Sequence, residues 1–204
     1  MRTIKYGFFF FFILSILISC KEKESKVEPE FKLASPDNLD DNEYQIYSLI
    51  LNEKFDGNEL VVQQKTSSPF SVISSNYYED LKTENLNLDT TIVVNFDDKN
   101  SSAYYLDNKF NTLTKSVTLI SDEEDKHFFS PQDPNNSWDA FYKKYPKSKG
   151  IIKFSRVGFN LDKSQAIVEV GHTYASLGGD SRLVYLVKEN NSWKIIQIIN
   201  ILVA

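Results

Sequence analysis

Two histidines, His127 and His172, are the chain's only imidazoles, and Cys20 is its only thiol. The histidines lie far apart, with no His-Glu-x-x-His pair, no cysteine partner and no glycine-rich phosphate loop around them. His127 follows the acidic run Asp122 to Asp125, whose oxygens are the chemistry of a cation site. Such a run reads by default as a solvated acidic turn, so no metal ligand and no cofactor is assigned to it. His172 shares strand parity with Val168, Val170 and Tyr174 and precedes a glycine-containing loop that carries Asp180, with Arg182 just beyond. These three types suit a small hydrolytic cleft, with His172 as base, Asp180 orienting it and Arg182 holding an anion. No serine stands in a nucleophile elbow to complete a triad. A neutral histidine at the edge of a core is the plainer account. His172, Asp180 and Arg182 are therefore the candidates, and no catalytic residue is assigned.

The elements that position these residues begin after an address segment. Arg2 and Lys5 precede the apolar stretch Phe8 to Ile18, too short to span a bilayer at ~20 residues and of the length of a secretory core. It ends in Leu17-Ile18-Ser19-Cys20, which resembles the lipobox of bacterial lipoproteins. That resemblance implies cleavage before Cys20, diacylglycerol on its sulfur and acylation of the new amino terminus, so residues 1–19 form a signal peptide. A lipidated Cys20 leaves no disulfide and no thiolate chemistry. The chain carries a net charge of −5, and loss of Arg2 and Lys5 makes the remainder more negative. Acidity argues against nucleic acid and against a polybasic grip on lipid. The expected membrane partner is thus reached through acyl chains, each buried CH₂ contributing ~0.8 kcal/mol. Lys21-Glu22-Lys23-Glu24, extended by Glu28 and Glu30, resembles the export tags of surface lipoproteins of Bacteroidota and reads equally as a solvated tether. Residues 20–38 are expected to form this charged stalk.

Residues 39–204 are read as one domain. Asp40 or Asp41 can cap a helix from about Asn42 to Phe55, with Tyr44, Tyr47, Ile50, Leu51 and Phe55 on its core face. Glu59 to Thr66 reads as a strand, broken by Ser67-Ser68-Pro69. Asn76 to Thr83 suits a short helix. Asp89 to Phe96 is open: Thr-Thr-Ile-Val-Val favours a strand, while Ile92 and Phe96 also stack on a helix. Asp89-Thr90-Thr91 resembles the acceptor for O-glycosylation in envelope proteins of Bacteroidota. Lys115 to Ser121 alternates as a strand.

From Ser137 the signals become continuous. Ser137 caps a helix, Trp138 to Tyr145, which Pro146 stops. Strands are expected at Ile151 to Phe159, Gln165 to Tyr174, Arg182 to Lys188 and Ser192 to Val203, with Leu177 to Asp180 as a turn and Asn190-Asn191 as a two-residue hairpin. If Asn160 to Ser164 is a symmetric loop, Phe159 faces Ala166 and Arg156 pairs with Glu169. The last strand is apolar on both sides, so upstream helices or a second sheet must cover the face that the Trp138 helix leaves open. The fold class is α+β: residues 137–204 form a helix followed by a four-stranded antiparallel meander, with upstream helices and short strands packed on it.

Tyr145-Pro146, Gly150-Ile151-Ile152, Phe154-Ser155-Arg156-Val157-Gly158-Phe159-Asn160, Gln165-Ala166 and Ser192-Trp193-Lys194-Ile195 resemble a recurring C-terminal domain of uncharacterised bacterial secreted proteins and lipoproteins. The resemblance implies fold and an envelope location, and no activity. Its glycine loop is often richer in glycine and bears cysteines. Here Ala175 to Asp180 has no cysteine, which removes any disulfide there. The closing Trp-Lys-Ile strand also resembles the end of nuclear-transport-factor-like cone folds. The expected function, fitted by the sparse histidines and the lone lipidated cysteine, is that of a lipid-anchored envelope protein acting as a non-catalytic binding or structural module. The alternatives are a small hydrolase using the His172 and Asp180 cleft, or an inhibitor or immunity-type lipoprotein. Protein or glycan partners fit the first reading, and the outer membrane, periplasmic or surface-facing, is the expected location.

Overall fold

The computed structural model describes residues 29–67, 77–129 and 137–203. The signal segment, Cys20, the charged run after it as far as Glu28, Ser68-Pro69 and Asn76 lie outside the described residues. Phe31–Ala204 forms one compact unit. Among the described residues no helix is long and apolar enough to cross a membrane.

Helix α1 (Asp41–Lys54) starts where Asp40 accepts a hydrogen bond from the Asn42 N–H, capping one of the donors a first turn leaves open. The expected aromatic stripe is its core face: Tyr44, Tyr47, Ile50, Leu51 and Phe55 are all buried. Its last carbonyls, on Leu51, Asn52 and Phe55, accept from the Lys115 ammonium. Residues 31–38, assigned above to the tether, run along the domain. Ala34 exchanges two hydrogen bonds with the buried Gln64 amide, and Asp37 two with the Tyr105 backbone.

The remaining elements are β1 (Glu59–Gln63), α2 (Tyr77–Glu84), α3 (Thr91–Lys99), β2 (Ser116–Ile120), α4 (Asp122–Phe129), α5 (Trp138–Lys144), β3 (Ile151–Phe154), β4 (Gly158–Phe159), β5 (Gln165–Ala175), β6 (Gly178–Glu189) and β7 (Ser192–Val203). The described residues are thus α+β, with five helices and a seven-stranded sheet of order β2-β1-β3-β5-β6-β7, β4 pairing with β5. The sheet is mixed: β1 runs parallel to both β2 and β3, and the pairs from β3 to β7 are antiparallel.

Several expectations are corrected. The four-stranded meander, expected to have short upstream strands packed on it, is instead part of one larger sheet with them, because β1 brings its apolar Leu60, Val61 and Val62 beside β3. The strand expected over Ile151 to Phe159 is two, β3 and β4. Register shifts by one residue between them, since Phe154 faces Val170 while Gly158 faces Ile167. The Arg156–Glu169 pair does not form. Arg156 reaches Glu43 on α1, and Glu169 accepts from the Ser181 hydroxyl. Asp122 to Asp125 is the first turn of α4 rather than a solvated turn, four carboxylates at the positive end of a helix. Asp89 to Phe96 resolves as helix α3 from Thr91. The glycine turn shrinks to Ser176-Leu177, and Gly179 and Asp180 are strand residues opposite Thr173 and His172. Asn190 and Asn191 both take positive φ, 48° and 66°, closing the β6–β7 hairpin in two residues.

Helices cover both faces. On one, α1 packs with Val62, Ile152, Phe154, Val168, Val170 and Val184. On the other, α2 and α3 lie over Ile167, Leu183 and Tyr185, while α4 and α5 lie over Val61, Ile120 and Ile151. The Trp138 helix therefore shares its face with α2, α3 and α4, and α1 covers the other.

Candidate functional site

The three candidates of the sequence do come together. His172 on β5 faces Asp180 on β6 across the ladder, and Arg182 follows two residues on, on the same side. They sit beyond the C-terminal end of α1. His172 and Arg182 line a cavity of about 130 Å³ with Phe55, Leu60, Ser148 and Ile152.

The hydrogen bonds give these groups roles other than those of a hydrolytic triad. Arg182 takes the Asp180 carboxylate in two contacts, Nε to Oδ1 at 2.7 Å and a terminal nitrogen to Oδ2 at 3.0 Å. His172 Nε2 lies 3.0 Å from the Lys149 carbonyl oxygen. A carbonyl only accepts, so Nε2 carries the proton and donates, and the neutral ring keeps Nδ1 as its single acceptor. The ring is held edge-on to Phe55 at 5.2 Å and against Tyr174 at 5.3 Å. Burial pushes the His172 pKa below its ordinary value. The Lys149 carbonyl and the Asp180 charge oppose that shift, Arg182 adds to it, and burial prevails. The imidazole is thus a neutral group at the core's edge near pH 7. Gly150 makes the contact possible. It sits at φ +129°, and a Cβ there would meet the Thr173 carbonyl oxygen at 2.4 Å and His172 Nε2 at 2.9 Å.

His127 lies on α4, its ring against Phe31 and Phe128 at 5.1 and 5.4 Å. Among the described residues no group of three or more His, Cys, Asp or Glu side chains is placed to hold a metal ion.

A second cluster, at the opposite end of α1, escaped the sequence reading. Glu43 is fully buried, and its carboxylate accepts from Arg156 Nε at 2.8 Å and from an Arg156 terminal nitrogen at 2.7 Å. The Val157 N–H at 3.1 Å and the Tyr47 hydroxyl at 3.2 Å also donate to it. The Arg156 guanidinium stacks over Tyr104 at 4.2 Å, and the Asn100 amide holds the backbone on both sides of that residue. Lys99 approaches from α3, 3.4 Å from the same carboxylate and 3.0 Å from the Val157 carbonyl. Burial alone would raise the Glu43 pKa. The Arg156 hydrogen bonds, the Lys99 and Arg156 charges and the Val157 N–H together hold it below the usual carboxylate range. The only hint in the sequence was that Glu43 interrupts the first turn of an otherwise apolar helix face.

No protein family model, no curated protein and no solved structure matches this chain.

Proposed function

We propose that this protein is a lipid-anchored protein of the bacterial cell envelope that acts as a non-catalytic binding or structural module. One observation carries the non-catalytic part: Asp180, the carboxylate expected to orient His172, is committed to Arg182 in two contacts. A hydrolytic base also needs a nucleophile to serve, and Ser148, which lines the same cavity, donates its hydroxyl to the Gly150 carbonyl. Residues 137–204, the helix with its antiparallel strands, are then the recurring module that the Arg156 to Asn160 stretch resembles, used as a rigid support. Anchoring follows from Leu17-Ile18-Ser19-Cys20, with the charged run after it as tether.

Two measurements test this. Mass spectrometry of the amino-terminal peptide is expected to give an acylated species beginning at Cys20, and Cys20→Ser is expected to release the protein into the aqueous phase. An unprocessed or unacylated amino terminus would remove the anchor. A panel of ester, glycoside and peptide substrates is expected to show no turnover.

The second reading, a small hydrolase, draws on the convergence of His172, Asp180 and Arg182 beside one cavity. Turnover of any of those substrates by the wild-type chain that disappears in His172→Gln would establish it over the first.

A further inference from the structure

The second cluster opens onto a cleft. Between α3 and the turn that joins β4 to β5 lies a space of about 450 Å³, walled by Asp40, Glu43, Asn95, Lys99, Arg156 and Lys163. Three cations therefore face two carboxylates, in a chain whose net charge is −5. The pairing is uneven. Lys163 takes the Asp40 carboxylate, and the two-pronged Arg156 contact takes Glu43. Lys99 is left with a 3.4 Å approach to Glu43 Oε1, an oxygen that Arg156 already holds at 2.7 Å, and with the uncharged Val157 carbonyl. Its ammonium is also tied over the Phe159 ring at 4.7 Å, so it cannot swing out to water without losing both contacts. A partly desolvated cation that must share its carboxylate with an arginine already holding it is a costly arrangement, and an arriving anion relieves it. Burial holds the Lys99 pKa below its ordinary value although the Glu43 charge acts to raise it.

The rest of the wall suits an oxygen ligand. Thr91, Asn95 and Lys99 follow at i, i+4 and i+8 on one line of α3, opposite the buried Ile92, Val93 and Phe96. The Asn95 Oδ1 accepts from the Phe159 N–H at 2.9 Å, which fixes the amide and leaves its NH₂ as the donor end for the cleft. Gly158 lets α3 come this close, because a Cβ there would meet Phe96 Cβ at 2.5 Å and the Ile92 carbonyl oxygen at 2.7 Å.

We infer that this cleft binds a singly charged oxyanion, a carboxylate or a phosphodiester group, with Lys99 as its main ligand and the Asn95 amide and Lys163 beside it. One negative charge matches the single surplus cation. This gives the binding reading a ligand class and rests on that reading, while standing apart from the His172 cavity at the other end of α1.

The full chain in non-ionic detergent can be titrated with sodium acetate, sodium glucuronate, dimethyl phosphate and inorganic phosphate, following backbone amide resonances. Saturable shifts at Lys99, Val157, Phe159 and Asn160 are expected with acetate and glucuronate, or with dimethyl phosphate. The arm that saturates at the lowest concentration identifies the source. Lys99→Gln is expected to weaken the binding about tenfold or more, the loss of one charge-assisted hydrogen bond, and Lys99→Arg to retain it. Lys163→Gln, at an exposed position, is expected to weaken it several-fold by leaving Asp40 unpaired toward the ligand, about the effect of one partly screened charge. Lys147→Gln, on the surface elsewhere, serves as the charge control. Absence of saturable shifts with all four anions, undiminished binding in Lys99→Gln, or an equal loss in Lys147→Gln would each overturn the inference. None of these outcomes touches the substrate panel, so failure here is distinct from failure of the non-catalytic reading.

Discussion

Replacing Glu43 by glutamine keeps the side chain's shape and removes its charge. The Arg156 guanidinium, itself nearly buried, then faces a neutral amide at 2.7–2.8 Å, and one Glu43 oxygen that accepted from Arg156, Val157 and Tyr47 becomes an NH₂ or a weaker acceptor. Removing one member of a buried ion pair costs about 3–5 kcal/mol, mostly because the other charge stays buried without a partner. For a domain of this size each kcal/mol moves the melting temperature by about 2–4 °C, so Glu43→Gln should melt roughly 10 °C below wild type. Arg156→Met alone should cost a similar amount. The double substitution should cost clearly less than the sum, because neither charge is then left alone. Urea denaturation followed by circular dichroism measures all four proteins. The pH dependence carries a second signature. The folded Glu43 pKa lies below its unfolded value of 4.5, so the pair's contribution is fully present above that value and is lost as pH falls through the lower folded one. The Glu43→Gln profile should therefore be flatter than wild type below pH 4.5. A single substitution within about 1 kcal/mol of wild type, or a double that equals the sum of the singles, would refute this account of the cluster.

Other consequences follow from the same contacts. Because the folded His172 pKa lies below the 6.5 of the unfolded chain, the unfolded state binds the proton first, and stability should fall as pH drops from 6.5 toward the folded value. His172→Gln should remove that segment of the curve, and an unchanged slope would show that the ring is not held neutral. Gly158→Ala should destabilise by about 1–3 kcal/mol or more, since the backbone of α3 rather than a flexible tip blocks the new methyl. A wild-type melting temperature there would mean that α3 sits farther away. Lys115→Met should cost about 1–2 kcal/mol by stripping the last carbonyls of α1 of their cation, read by urea denaturation. No change would place that ammonium in solvent.

The candidate site was half legible. Residue types and strand parity bring His172, Asp180 and Arg182 into one neighbourhood, and the structure puts them there. Their roles were not legible, because the roles depend on who donates to whom. The Lys149 carbonyl reaches His172 only through the conformation of Gly150, and Arg182 claims Asp180 only because Gly179 and Asp180 extend β6 instead of turning. The Arg156 forecast shows the same limit. The loop symmetry correctly faces Phe159 with Ala166, yet the one-residue shift before β4 sends the Arg156 side chain to Glu43, away from Glu169.

By itself the sequence determined whatever neighbours within a few positions decide. Asp40 caps α1 and its aromatic stripe faces inward, Ser137 caps α5 by accepting from Ala140, and two asparagines with positive φ turn the last hairpin. Only the tertiary structure decided the rest: β1 inserted parallel between β2 and β3, the Lys115 cap on α1, and the Glu43–Arg156 pair joining residues 113 positions apart. Local propensity and turn chemistry act over one or two turns of chain. A parallel pairing or a buried charge is chosen by what else must be covered and neutralised once the layers close, and that choice is written in no single stretch of residues.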